Sequence, residues 1–249
     1  MKKIFPFFLV IVLNSCTNNV EIESLKYSSK DLAPLNDSSK NLYYDDAAFI
    51  EYEQLLKDSV RKYEQIKLNE NNIQSYYEDL IYIYSNCFKI SNSFFEYAKS
   101  LHSPGAITLY QILVFVDTSK NWTVNWRNGI KNTGVIEIDS IINNYNLDIN
   151  YMEQADSTYW FEIKSQIPIN YFALIEEFKK TNEFITVEPV GLIGGGSNIS
   201  LENQYNSRNY RYNYGWGDCP SGCINYHYWI VKLKDKEIEL IEEGGDSLN

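Results

Sequence analysis

Apolar and polar positions follow two different periods along this chain, and the change falls near residue 106. Before it the spacing is helical. Phe49, Tyr52, Leu56, Val60, Tyr63 and Ile66 recur every three or four residues and so share one helix face, with Asp45 or Asp46 placed to cap its start. Ile73, Tyr77, Leu80, Tyr84, Cys87 and Phe88 repeat the pattern, with Asn71 or Asn72 as the cap. Phe94, Tyr97, Ala98 and Leu101 either continue it or form a third segment, and Ser103-Pro104-Gly105 is the stop. These helices are expected to be antiparallel neighbours, each burying a tyrosine-rich stripe.

Beyond Ala106 the period shortens. Ile107 to Val116 is a continuous apolar run whose β-branched content predicts a buried strand, and Trp122, Val124 and Trp126 alternate as a half-buried strand does. Ile138, Ile141, Ile142 and Tyr145 predict a short helix. Leu147, Ile149 and Tyr151 alternate, as do Tyr159, Phe161 and Ile163 across a polar turn. Asn170 caps a helix carrying Tyr171, Leu174, Ile175 and Phe178, and Phe184 to Glu188 predicts a strand ended by Pro189. Gly194-Gly195-Gly196 lacks the Lys-Ser/Thr and following helix of a phosphate loop, so Gly191 to Ser197 is expected to be a flexible connector. Asn209 to Trp216, Tyr226 to Leu233, and Ile238 to Glu242 then predict a three-stranded meander. Its first connection carries Cys219 and Cys223, and Lys234-Asp235-Lys236 makes its second turn. The expected fold class is α+β: a helical region at 46–105, then an α/β region at 106–249 closing on an antiparallel meander.

The order helix, strand, strand, helix, strand in the middle of the chain resembles half of a ferredoxin-like α/β sandwich. With Val187-Glu188-Pro189 it also resembles the prodomains of subtilisin-like proteases, which implies a protease-inhibitor or prodomain-like role as the alternative function.

The N-terminus changes the picture more. Lys2 and Lys3 precede an apolar run from Ile4 to Leu13 that only Pro6 interrupts. That run is far shorter than the roughly 20 residues of a spanning helix, and it reads as a secretion signal over residues 1–15. It ends in Leu13-Asn14-Ser15-Cys16, which resembles the lipobox of bacterial lipoproteins. The resemblance implies cleavage before Cys16 and lipidation of Cys16. With Thr17 rather than an aspartate next, it also implies sorting to the outer membrane if the cell is Gram-negative. The location expected is the cell envelope, with the membrane as partner through the N-terminal lipid. Residues 16–45 are polar, and are expected to be a flexible tether.

Charge narrows the partners. The chain carries a formal −11; without Lys2 and Lys3 it has 20 basic against 33 acidic residues, or −13. Such a surface repels phosphate backbones, so no nucleic acid is expected. An envelope protein or a glycan is the further partner expected; the 21 tyrosines are read first as AT-rich codon usage and only second as an aromatic surface that binds sugar or protein.

Cys219 and Cys223 stand in YGWGDCPSGCINYHYW, where Pro220 and Gly222 favour a turn that brings them together. Export permits oxidation, so a structural disulfide is expected. A metal site with His227, a redox pair and two free thiols are the other readings of these cysteines. GWGDCPSGC followed by a Tyr-Trp strand resembles a C-terminal motif of uncharacterised secreted proteins and lipoproteins of Bacteroidetes and related bacteria, and the resemblance implies no activity. Cys87 lies on an apolar helix face and is expected to be a buried thiol. His102 beside Ser103 is explained by helix capping, Glu176-Glu177 and Glu242-Glu243 are expected to be solvated, and Asp218 is a turn former. No Gly-x-Ser-x-Gly elbow occurs. The pattern thus assigns no catalytic, cofactor-binding or metal-binding residue and no cofactor. The expected function is a membrane-anchored envelope lipoprotein acting as a binding or structural module. An enzyme remains open, and a deep polar pocket near His227 or Asp218 would favour it.

Overall fold

The computed structural model describes residues 27–28, 31–32, 34–102, 107–191, 194–203 and 207–248. Its helical part comprises α1 (Asp37–Leu56), α2 (Arg61–Glu64), α3 (Glu70–Ser85) and α4 (Asn92–Tyr97), with 3-10 turns at Cys87–Lys89 and Ala98–Ser100. α1 starts well inside the segment expected to be tether, and its cap is Asn36, whose side chain accepts from the Ser39 N–H; Asp45 and Asp46 lie within the helix. The continuous helix expected over 49–66 is broken after Leu56. There Asp58 accepts from the N–H groups of Val60 and Arg61 and so starts α2. Val60 and Tyr63 are accordingly exposed, while Ile66 stays buried. α3 is capped by Asn69, not by Asn71 or Asn72, whose N–H groups Asn69 accepts instead. The capping residue is the one just outside the first helical turn, and apolar spacing locates that turn only to within a few residues.

The rest of the chain folds into two antiparallel four-stranded sheets, so the class is α+β as expected. In the first sheet β1 (Ile107–Asp117) is followed by α5 (Thr123–Arg127) and α6 (Ile136–Asn144). β2 (Asp148–Ala155), β3 (Thr158–Lys164), α7 (Tyr171–Lys180) and β4 (Thr186–Gly191) complete it in the order β2-β3-β1-β4. That strand order, with a helical crossover before and after the β2–β3 hairpin, is the split βαβ plan of a ferredoxin-like sandwich, whole rather than half. Ile112, Val114 and Val116 alternate inward along β1 and are fully buried. Pro189 does not end β4: it pairs opposite Ile112, tolerated because β4 is an edge strand that need not donate on both sides. The expected strand at Trp122–Trp126 is instead α5. Trp122 and Trp126 are four apart and stack edge to face at 5.0 Å, whereas Val124 points out. Five residues fit either period, and the buried Trp126, bonded to the Lys131 carbonyl, decides for the helix.

The second sheet runs β5 (Asn198–Asn203), β6 (Arg208–Trp216), β7 (Asn225–Lys234) and β8 (Glu237–Gly245) in chain order, so the expected meander gains a strand at its start. Tyr210, Tyr212, Trp229, Val231 and Leu233 are buried; Tyr212 and Trp229 both pack on Phe94 of α4. Asp235 and Lys236, both at positive φ, make the tight β7–β8 turn. The helical part and the first sheet are joined at Asn170. Its Oδ1 caps α7, and its amide donates to the carbonyls of Lys62 and Gln65, so a fully buried side chain has its polar groups paired.

Candidate binding groove and the disulfide loop

At the C-terminal end of α3 the chain turns from an α-helix into a 3-10 turn, and the altered rotation separates two neighbours. Cys87 faces the core, and Phe88, expected on the same apolar stripe, is 62% exposed. Phe88 forms one part of a groove of about 410 Å³ whose other walls are Asp31, Leu32, Tyr82, Ser85, Asn86 and Lys89. Lys89 holds its ammonium 5.5 Å from the Phe88 ring centre and donates to Asn86 Oδ1 at 2.7 Å. Asn86, nearly buried, is fixed by its own donation to the Tyr82 carbonyl. Asp31, also in the lining, uses one oxygen, Oδ2, for the Ser28 N–H, the Ser28 hydroxyl and Lys236 Nζ. Hydrogen bonds from Ser28 and then from Lys236 hold its carboxyl below the usual range, so it is ionised at neutral pH.

The wall made by the N-terminal segment is pinned from below. Tyr27 stacks on Tyr82 with ring centres 4.3 Å apart and donates to Asp79 Oδ1 at 2.9 Å. Asp79 has no exposed surface, and its Oδ2 accepts from Arg208 Nη1 and from the Tyr210 hydroxyl. Burial and then the Asp79 charge push the Tyr27 hydroxyl far above its ordinary range, which keeps it a donor. Tyr82 in turn donates to the Lys236 carbonyl at the β7–β8 turn. One buried carboxylate therefore ties together α3, β6 and the N-terminal segment that borders the groove.

Cys219 and Cys223 are joined by a disulfide in the β6–β7 connection. Trp216 and Trp229, which flank the loop in sequence, are expected to pack at its base and cover the bridge, but Trp229 pairs with Tyr212, well along the strand, and is buried against α4. What closes on the bridge is glycine and Tyr226. A Cβ on Gly215 would lie 2.7 Å from Cys223 Sγ. One on Gly195 would lie 2.6 Å from the Tyr226 hydroxyl, and the Gly195 N–H donates to the Cys219 carbonyl. Gly194 to Gly196 is thus a close-packed seat for the loop, where a flexible connector was expected. Cys16 lies outside the described residues.

The two histidines sit in separate places. His102 bonds to the buried Asp46 and takes the edge of Tyr43, so it joins α1 to the end of the helical part and is more than a helix cap. His227 uses Nδ1 on the Asp246 carbonyl and Nε2 on Glu243, which also accepts from the Ser93 hydroxyl. In that cluster the carboxylate lies between serine and histidine, so the imidazole is not placed to take the serine proton. Asp218 is exposed, and the groove is elsewhere. Glu176 and Glu177 pair with Lys179 and Lys180, and Glu242 accepts from Tyr228. Cys87 is a buried free thiol whose pKa burial raises, and among the described residues no group of His, Cys, Asp and Glu could hold a metal ion.

No protein-family model, curated protein or solved structure matches this chain.

Proposed function

We propose that this chain is a lipid-anchored lipoprotein of the cell envelope, held to the membrane through Cys16, whose α+β body works as a binding module rather than an enzyme. The anchor reading rests on Lys2-Lys3, the short apolar run and Leu13-Asn14-Ser15-Cys16. The observation that carries the binding reading is the groove at the end of α3, which combines an exposed ring with an unspent carboxylate oxygen and an ammonium. The histidine clusters support it as well, because their polar groups are spent on tying elements together. The likeness of the GWGDCPSGC segment to secreted proteins of Bacteroidetes and related bacteria agrees with an exported body carrying a disulfide.

Cys16→Ser is expected to shift the protein from the membrane fraction to the soluble or unprocessed fraction. Mass spectrometry of the parent should find an acylated N-terminal cysteine at position 16. An unacylated mature N-terminus at another residue overturns the anchor. A second reading, a protease-inhibitor or prodomain-like module, is favoured by the split βαβ plan of the first sheet, and inhibition of a subtilisin-type protease would select it.

A further inference from the structure

If Cys16 is the lipidated residue, only eleven residues, 16–26, separate the lipid from Tyr27, which the Asp79 and Tyr82 contacts fix to the body. Eleven residues can reach at most about 39 Å at about 3.5 Å per residue. Tyr27 therefore stays within that reach of the bilayer, and Tyr82, on which it stacks, lines the groove. Its walls carry opposite charges. Asp31 has its Oδ1 without a protein partner among the described residues, and the Lys89 ammonium has donors to spare beyond Asn86. The rings of Tyr82 and Phe88, the second mostly exposed, also line the groove.

A phosphoethanolamine headgroup carries the complementary pair of charges, a phosphate and an ammonium a few bonds apart. From this match and the short tether we infer that the groove takes a phosphoethanolamine headgroup of the membrane in which the anchor sits, because its primary ammonium can donate hydrogen bonds to Asp31 and the quaternary ammonium of phosphatidylcholine cannot. The Lys89 ammonium receives the phosphate. Asp31 receives the ammonium, and an aromatic face adds a cation–π contact. Phe88 beside Lys89 enters the headgroup layer, as aromatic rings at a wet apolar boundary do. The inference rests on the reading of Cys16 as anchor, and its test does not use the lipid.

A chain beginning at residue 16 and carrying Cys16→Ser keeps every described residue. It is mixed with vesicles of phosphatidylethanolamine in phosphatidylcholine, and separately with vesicles in which phosphatidylglycerol replaces the ethanolamine lipid. Co-sedimentation is expected to favour the ethanolamine vesicles several-fold, and soluble phosphoethanolamine should compete. Phe88→Ala with Lys89→Ala should remove most of the binding. Asp31→Asn should bring the two vesicle types to near equality, while Ile136→Ser, an exposed site on α6, changes nothing. Circular dichroism checks that each variant is folded. No binding to either vesicle, equal binding by the parent to both, or binding unchanged by the groove substitutions overturns the inference. Binding of soluble phosphoethanolamine without vesicle binding overturns the membrane as its source. An unacylated Cys16 in the cell overturns the anchor reading instead, so the two failures are told apart.

Discussion

At position 79 a carboxylate with no exposed surface holds an arginine and two tyrosines from distant parts of the chain. Asp79→Ala would leave the Arg208 guanidinium buried and unpaired, because that group is only 7% exposed. The expected loss is about 3–5 kcal/mol of unfolding free energy in a urea titration. A loss below about 1 kcal/mol would mean that solvent replaces the carboxylate. Glu51, 2% exposed on α1, makes the opposite case. Burial raises its pKa, against the lowering effect of the hydrogen bond from Asn72. The folded chain therefore binds this proton more readily than the unfolded chain, so stability rises as pH falls through the folded pKa toward the ordinary glutamate range of about 4.3. Glu51→Gln keeps an acceptor for Asn72 and removes the titration. Its Tm is expected to match or exceed that of the parent at pH 7, and the advantage should vanish near pH 4. A lower Tm at pH 7 would show that the charged form is the stabilising one. Neither residue was marked by the sequence pattern: on a helix, a buried acid and a solvated one look alike until the partner strand is known.

Among the elements, the β6–β7 connection was the most legible. Pro220, Gly222 and the cysteine spacing pointed to a closed turn, and the disulfide is there. Cys219→Ala is expected to cost about 2 kcal/mol or less, because a five-residue ring removes little chain entropy. Amide exchange should quicken over residues 217–224 and stay unchanged in α1 and α3; faster exchange throughout the helices would refute this local role. The seat for that loop was not legible. Three glycines in a row read as freedom, and only the approach of Cys219, Cys223 and Tyr226 shows that Gly194 and Gly195 are there for want of room. The same limit explains α5, where two tryptophans four apart satisfied a strand and a helix equally, and the break after Leu56, which a side-chain cap from Asp58 imposes on an otherwise unbroken stripe.

For the molecule as a whole, the tether is where pattern and structure diverge most. Polar composition predicted a loose segment to residue 45, yet α1 begins at Asp37, and Tyr27 and Leu32 already pack against the body. A tyrosine in a polar stretch carries no periodic signal, and it is fixed here by a stack on Tyr82 and a bond to Asp79, fifty-two residues on. That attachment brings Asp31 and Leu32 to the groove they line. The sequence alone determined the fold class, the positions of most helices and strands, the cysteine pair and the expectation of an anchor at Cys16. Each of these follows from local period, local turn chemistry or a contiguous N-terminal pattern. Only the tertiary structure decided the strand order β2-β3-β1-β4, the fourth strand of the second sheet and the groove between Asp31 and Lys89. Those depend on which residues meet after long excursions of the chain, and a one-dimensional period holds no record of that.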